Sequence, residues 1–170
     1  MESRVKFFGH PVHPMLIVFP IGLLATSLFF DILYFITRNT NFTTASYYMI
    51  AAGAIGGLLA AIFGFIDWLG LPTSRAKSIG GWHGLGNFTI VVLFIISWFL
   101  RRGNANFVPG TLAFILSIVG IGMALITAWI GGELVYRLGV AVDPGANVNA
   151  PNSLTEPSAT GARTKRTANR

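Results

Sequence analysis

PMLIVFPIGLLATSLFFDILYFI, residues 14–36, is a run of 23 residues in which Asp31 is the one charged side chain. A helix needs roughly 20 mostly apolar residues to cross a bilayer, so this run predicts a transmembrane helix. The run continues past Ala25-Thr26-Ser27, which loosely matches a signal-peptide cleavage site, and this favours a retained span. Similar runs lie at about 46–69, 83–100 and 108–136. The sequence therefore predicts an all-α fold, a four-helix transmembrane bundle in up-down-up-down order, within residues 1–142.

The composition agrees with a membrane protein and excludes several classes of soluble protein. Hydrophobic residues make up 53% of the chain and charged residues 11%, whereas soluble domains carry about a quarter of charged residues. The net charge of +6 does not indicate a nucleic-acid partner, because the basic residues flank the helices or lie in the tail. The absence of cysteine excludes disulfides, a thiolate nucleophile and a cysteine-ligated cluster.

The distribution of basic residues predicts the orientation. Four spans put both termini on one side of the membrane. Outside the tail, that side carries Arg4, Lys6, Arg75, Lys77 and Arg137, and the other side carries Arg38, Arg101 and Arg102. The positive-inside rule then predicts cytoplasmic N- and C-termini in the inner (plasma) membrane. Residues 143–170 are polar with no apolar period, which predicts a disordered basic cytoplasmic tail.

Nearly all side chains able to carry chemistry are predicted to lie at this terminal face. They come from four different helix ends, and they are His10, His13, Asp67, His83 and Glu133. His10 and His13 each precede a proline, which disfavours the α conformation. We therefore expect an extended or turned segment up to a helix that starts at Pro14.

A structural interpretation of the same residues stays open. His13 then caps the first helix at the bilayer boundary. Asp67 and Glu133 lie near the interface, where an acid costs less than the roughly 2.5–3.5 kcal/mol of a mid-span position. Arg75 or Arg137 then neutralises either acid.

Two further features of the spans are expected to be structural. Asp31 lies near the opposite face, and we expect it to pair with Arg38 or to face water, without a functional role. Trp68, Trp82 and Trp129 are typical of the aromatic belt that forms at membrane interfaces.

The order of the motifs also indicates an internal repeat. Each half begins with a glycine and a histidine and closes with a tryptophan and an acid: GHP at 9–11 and DW at 67–68, then WHG at 82–84 and WIGGE at 129–133. His10 precedes Asp67 by 57 positions, and His83 precedes Glu133 by 50. Two helical hairpins related by an axis along the membrane normal would gather these groups around that axis.

Several of these segments together resemble the bacterial membrane family called domain of unknown function 2231. They are GHPVHP at 9–14, VFPIG at 18–22, GFIDW at 64–68 and GGELVY at 131–136. The likeness covers about residues 7–142. It implies a four-helix membrane fold with His10, His13, Asp67, His83 and Glu133 in its motifs, and the family supplies no established activity to transfer.

Three functions follow from these residues, and whether the chain is an enzyme stays open. The first is a non-catalytic membrane subunit or scaffold, whose glycine-rich helix faces favour packing within or between chains. The second is a membrane redox module that binds b-type haem through His10 or His13 and His83. The third is a transition-metal site or a proton relay that uses His10, His13, His83, Asp67 and Glu133. The expected partners are the lipid bilayer, a second copy of the chain or a membrane redox protein.

Overall fold

The computed structural model describes residues 2–154. Within this range, four helical spans are long and apolar enough to cross a membrane. A short hairpin of strands β1 (Lys6–Phe7) and β2 (His10–Pro11) leads into the first span. The helices are α1 (Val12–Leu16) and α2 (Val18–Thr37), which together form the first span, then α3 (Thr40–Gly70), α4 (Arg75–Arg101) and α5 (Thr111–Gly132).

The spans pack in sequence order as an up-down bundle, which confirms the predicted all-α fold. Helix α2 packs on α3, α3 on α4 and α4 on α5, and a contact between α2 and α5 closes the bundle. A 3-10 turn at Ala105–Phe107 lies between α4 and α5, and a π-helical turn at Glu133–Arg137 follows α5. The tail was predicted to start at residue 143, and its residues 155–170 lie outside the described part of the chain.

Helix α4 begins at Arg75, eight residues before the predicted start at 83. Ser74 provides the missing start signal, because its hydroxyl accepts a hydrogen bond from the Lys77 backbone N–H at 3.3 Å. Gly80 does not interrupt the helix. A Cβ at Gly80 would lie 2.9 Å from Cδ1 of Trp68, so this glycine allows α3 and α4 to approach closely.

Helix α1 begins at Val12, two residues before the predicted start at Pro14. The predicted extended conformation therefore holds for His10, which lies in β2, and is wrong for His13. The physical reason is the position of Pro14 in the first helical turn. Backbone N–H groups there have no acceptor within the helix, so the missing donor of proline costs nothing.

Asp31 forms a fully buried ion pair with Arg101, and the predicted pairing with Arg38 is wrong. The guanidinium donates to both carboxylate oxygens, at 2.8 Å from Nη1 and 2.6 Å from Nη2, and both side chains have an exposed fraction of 0%. Serine hydroxyls surround the guanidinium and accept further hydrogen bonds from it: Ser46, Ser97 and Ser117. Arg101, which the charge argument counts among the cations of the opposite membrane side, is the last residue of α4 and faces the bundle interior.

An apolar layer lies between this ion pair and the histidine-bearing end of the bundle. It consists of the buried side chains Leu24, Ile50, Ile90 and Phe94. Glycines of the neighbouring helices make room for the larger members. A Cβ at Gly53 would lie 2.7 Å from Leu24, and a Cβ at Gly120 would lie 2.7 Å from Phe94.

These contacts belong to a repeat that relates the hairpin α1–α3 to the hairpin α4–α5. Leu24 follows His13 by 11 positions and Phe94 follows His83 by 11, and each packs on a glycine of the next helix. Ser27 follows His13 by 14 positions, as Ser97 follows His83. Asp31 follows His13 by 18 positions, as Arg101 follows His83. The repeat is therefore real in its contacts, but its register pairs His83 with His13 and not with His10.

The ion pair shows where the axis of this repeat lies. A residue touches its own counterpart only close to the symmetry axis, and Asp31 touches Arg101. Because both hairpins start on the same side of the bundle, they are parallel repeats about an axis that runs along the bundle.

Removing one partner of the ion pair should destabilise the bundle strongly. We expect Asp31→Ala or Arg101→Ala to lower the free energy of unfolding by about 3–5 kcal/mol, because the charge of the remaining partner stays buried without its counter-ion. Because the two positions are equivalent in the repeat, the double exchange Asp31→Arg with Arg101→Asp should recover part of that loss. Denaturant unfolding of the detergent-purified protein measures both effects.

Arg102→Ala is the matched control, because Arg102 is the exposed neighbour of Arg101 and should give no measurable change. A double exchange that is no more stable than the single variants would contradict the equivalence of the two positions.

Candidate functional site

Two of the three histidines meet at the terminal end of the same axis. His13 in α1 and His83 in α4 have ring centroids 6.4 Å apart, with an angle of 84° between the ring planes. Both side chains are partly buried. Since His13 and His83 are counterparts in the repeat, they flank the axis at this end as Asp31 and Arg101 do at the other.

Each of these histidines makes the same two contacts with the neighbouring helix. The Nδ1 of His13 lies 2.8 Å from the Ala60 carbonyl oxygen, and the Nδ1 of His83 lies 3.0 Å from that of Thr127. A carbonyl only accepts, so Nδ1 carries the hydrogen in both rings. In the neutral imidazole this leaves the lone pair on Nε2.

The second shared contact is with a glycine one helical turn further along. A Cβ at Gly64 would lie 2.8 Å from Nδ1 of His13, and a Cβ at Gly131 would lie 3.0 Å from Cε1 of His83. Gly64 follows Ala60 by four positions and Gly131 follows Thr127 by four. The glycines therefore let each imidazole lie directly against a helix backbone.

The surroundings of the two rings differ in polarity. Asn87 lies one turn after His83, and its amide Nδ2 donates to the His83 carbonyl at 2.8 Å and lies 3.2 Å from His83 Nε2. The Thr127 hydroxyl donates to the Asn87 amide oxygen at 3.3 Å. The corresponding positions around His13 are Ile17 and Ala60, which carry no polar side-chain group.

The other predicted site residues are held elsewhere at this face. His10 is exposed and its Nε2 lies 3.2 Å from the Ser153 hydroxyl. Asp67 accepts from the Ser3 hydroxyl at 2.7 Å and from the Arg4 backbone N–H at 2.7 Å. Glu133 pairs with Arg75 at 2.8 Å, as one of the two structural alternatives predicted.

The predicted metal set of His10, His13, His83, Asp67 and Glu133 is therefore not gathered at one point. Within residues 2–154, no three His, Asp or Glu residues are close enough together to hold one metal ion. The physical reason is that the N-terminal segment and Arg75 satisfy the two acids locally. What the structure brings together is the pair of imidazoles.

A profile of the family described as "Predicted membrane protein (DUF2231)" matches residues 9–144. The chain belongs to this family. The match includes all four spans and both members of the histidine pair, so in this DUF2231 protein the pair is part of the family domain itself. The predicted resemblance is confirmed. Neither the comparison with curated proteins nor the comparison with solved structures gave a match.

Sequence reasoning missed the residues of this DUF2231 domain that hold the histidines, namely Ala60, Gly64, Asn87, Thr127 and Gly131. A signal was available in the equal spacings. Gly53 and Gly64 are separated by 11 positions, and Gly120 and Gly131 by the same number. The offset of 67 positions between these glycines is nearer to the 70 positions from His13 to His83 than to the 73 from His10 to His83, which favours His13 as the counterpart.

The two glycines against the rings give a test of the pair's geometry. Gly64→Ala and Gly131→Ala should each destabilise the protein by about 1–3 kcal/mol, because the added methyl group overlaps an imidazole in a packed interface. Thermal unfolding in detergent measures the change.

Gly84→Ala is the control, since a Cβ there meets nothing within 4 Å and alanine has the higher helix propensity. Equal unfolding temperatures for all three variants would contradict the close contact of the rings with the helix backbones.

Proposed function

We propose that this protein is a membrane redox module that holds the iron of a b-type haem between His13 and His83. The observation that carries the proposal is the pair of imidazoles across the axis, each fixed through Nδ1. Axial histidine is a common haem ligand. Metal-binding histidines almost always donate their other ring N–H to a carbonyl or carboxylate, which fixes the ring orientation.

The separation of the rings agrees with two ligands on one ion. An imidazole nitrogen lies about 2.0 Å from a bound metal, so His13 and His83 would have to lie close to each other to hold one ion. The observed distance between the ring centroids is 6.4 Å. His10, the alternative first ligand, is engaged with Ser153 at the surface, which favours His13.

The number of ligands favours haem over a bare metal ion. Zinc takes three or four protein ligands, and no group of three candidate ligands exists within residues 2–154. A haem iron needs only one or two axial ligands from the protein, because the porphyrin supplies the other four. When bound, the haem would supply one-electron chemistry, while the Ala60 and Thr127 carbonyls fix the two rings.

A second candidate function is a non-catalytic scaffold, and a different observation favours it. Each acid of the spans has at least one partner within the chain: Asp31 pairs with Arg101, Asp67 with Ser3 and Arg4, and Glu133 with Arg75. Such an arrangement stabilises a bundle without any cofactor. In this case the protein would act through assembly with a second copy or another membrane protein.

Absorbance spectroscopy of the detergent-purified protein separates the two functions. The haem proposal predicts a Soret band that His13→Ala and His83→Ala each abolish, because either substitution removes an axial ligand. His10→Ala is the matched control and should retain the band. The variants must stay monodisperse and helical by circular dichroism.

Three results would contradict haem binding. Folded protein from haem-supplemented cells without a Soret band would favour the scaffold. A band that survives His83→Ala and His13→Ala would place the haem elsewhere. A transition metal at one per chain without the band, lost in the same variants, would indicate a bare metal site.

We further propose that both termini face the cytoplasm and that the membrane is the inner one. The burial of Arg101 strengthens the charge argument, because this residue no longer counts as a loop cation. The remaining opposite-side cations are Arg38 and Arg102, against five on the terminal side outside the tail.

Reporter fusions test this orientation. A green fluorescent protein fused after Arg170 should be fluorescent, and alkaline phosphatase fused there should be inactive. Phosphatase inserted in the link before α3, after Asn39, should be active. The opposite pattern would reverse the orientation.

A further inference from the structure

A groove on the outer surface of α4 and α5 lies beside the histidine pair and plays no part in holding it. Its volume is about 210 Å³, and it is lined by Arg75, Ile79, Trp82, Trp129, Ile130 and Glu133. Pockets for whole drug-sized ligands have roughly 300–1,000 Å³. The groove therefore suits one end of a longer molecule that continues into the bilayer.

The walls of the groove carry the residues that are typical of the lipid head-group level. Trp82 and Trp129 form two of its sides and are exposed by 68% and 72%. Exposed tryptophans of a transmembrane bundle typically lie at the membrane–water interface. The apolar part of the lining, Ile79 and Ile130, continues this surface.

The polar end of the groove carries two opposite charges that satisfy each other incompletely. Arg75 and Glu133 are joined through one nitrogen and one oxygen, Nη2 and Oε1, at 2.8 Å. Within residues 2–154, neither side chain makes another hydrogen bond. The second carboxylate oxygen and the remaining guanidinium N–H groups are therefore available to a ligand, and Arg75 is 64% exposed.

We propose that this groove binds an ethanolamine phospholipid, with the phosphate on Arg75, the ammonium group on Glu133 and an acyl chain along the tryptophans. The charge pattern selects this lipid class. A guanidinium binds phosphate oxygens, and a carboxylate accepts from an ammonium N–H. An anionic head group such as that of phosphatidylglycerol has no ammonium group to pair with Glu133, and a choline head group has no N–H to donate.

Lipid titration followed by native mass spectrometry of the detergent-purified protein tests the proposal. The probes are phosphatidylethanolamine, phosphatidylcholine and phosphatidylglycerol with identical acyl chains. We expect phosphatidylethanolamine to bind about tenfold more tightly than phosphatidylcholine, the equivalent of one charge-assisted hydrogen bond of about 1.4 kcal/mol.

Variants assign the two contacts. Glu133→Gln should reduce the preference for ethanolamine over choline to less than about threefold, a loss of most of one hydrogen bond. Arg75→Gln should weaken both lipids, and Arg102→Gln, at the opposite end of α4, should change neither. Circular dichroism and the unfolding temperature establish that each variant is folded.

Equal binding of the ethanolamine and choline lipids to the wild-type protein would overturn the proposal. Preference for phosphatidylglycerol would do the same, since it would indicate attraction to net positive charge alone. An undiminished preference in folded Glu133→Gln would also overturn it.

Discussion

The bidentate contact between Asp31 and Arg101 is the interaction on which the bundle arrangement depends. Both side chains are fully buried, so each charge needs the other together with the surrounding hydroxyls to offset its desolvation. In the order α2, α3, α4, α5 around the bundle, α2 and α4 lie diagonally opposite. The ion pair thus holds α2 against α4, two helices that are not consecutive along the chain. Because α1 continues into α2, the same constraint sets His13 opposite His83 at the far end.

The repeat gives the two histidines equivalent contacts with the neighbouring helix, and sequence differences between its two halves give them different surroundings. His83 has Asn87 and Thr127 beside it, whereas the matching positions near His13 are Ile17 and Ala60. The Asn87 amide therefore reaches His83 Nε2. Within residues 2–154, Nε2 of His13 has no hydrogen-bond partner. The two rings therefore make equivalent contacts with the neighbouring helices, but the surroundings of His83 are polar and those of His13 are apolar.

Much of the fold follows from the sequence, because apolar runs of spanning length leave few alternatives to a helical bundle. The predicted start of α4 was too late, because a glycine such as Gly80 is common both in loops and at close contacts between helices. The sequence does not show that Gly80 packs against Trp68 of α3. The partner of Asp31 was missed for a similar reason. Arg38 is closer along the chain, but diagonal proximity depends on the packing of all four spans. Of the residues predicted at the histidine end, His13 and His83 lie together, whereas Asp67 and Glu133 are held by other partners away from the two rings.

The apolar layer of Leu24, Ile50, Ile90 and Phe94 limits what the site at the histidines is able to do. A proton moving across the membrane needs a continuous row of polar groups or water, and this layer interrupts any row between the histidines and the buried ion pair. Both carboxylate oxygens of Asp31 already accept from Arg101, so the buried carboxylate at the far end has its hydrogen-bond donors within the bundle. Electron transfer to a cofactor at one face needs no such row. The layer therefore agrees with a one-sided redox site and disagrees with a transmembrane proton relay, while proton exchange confined to the terminal face stays compatible with it.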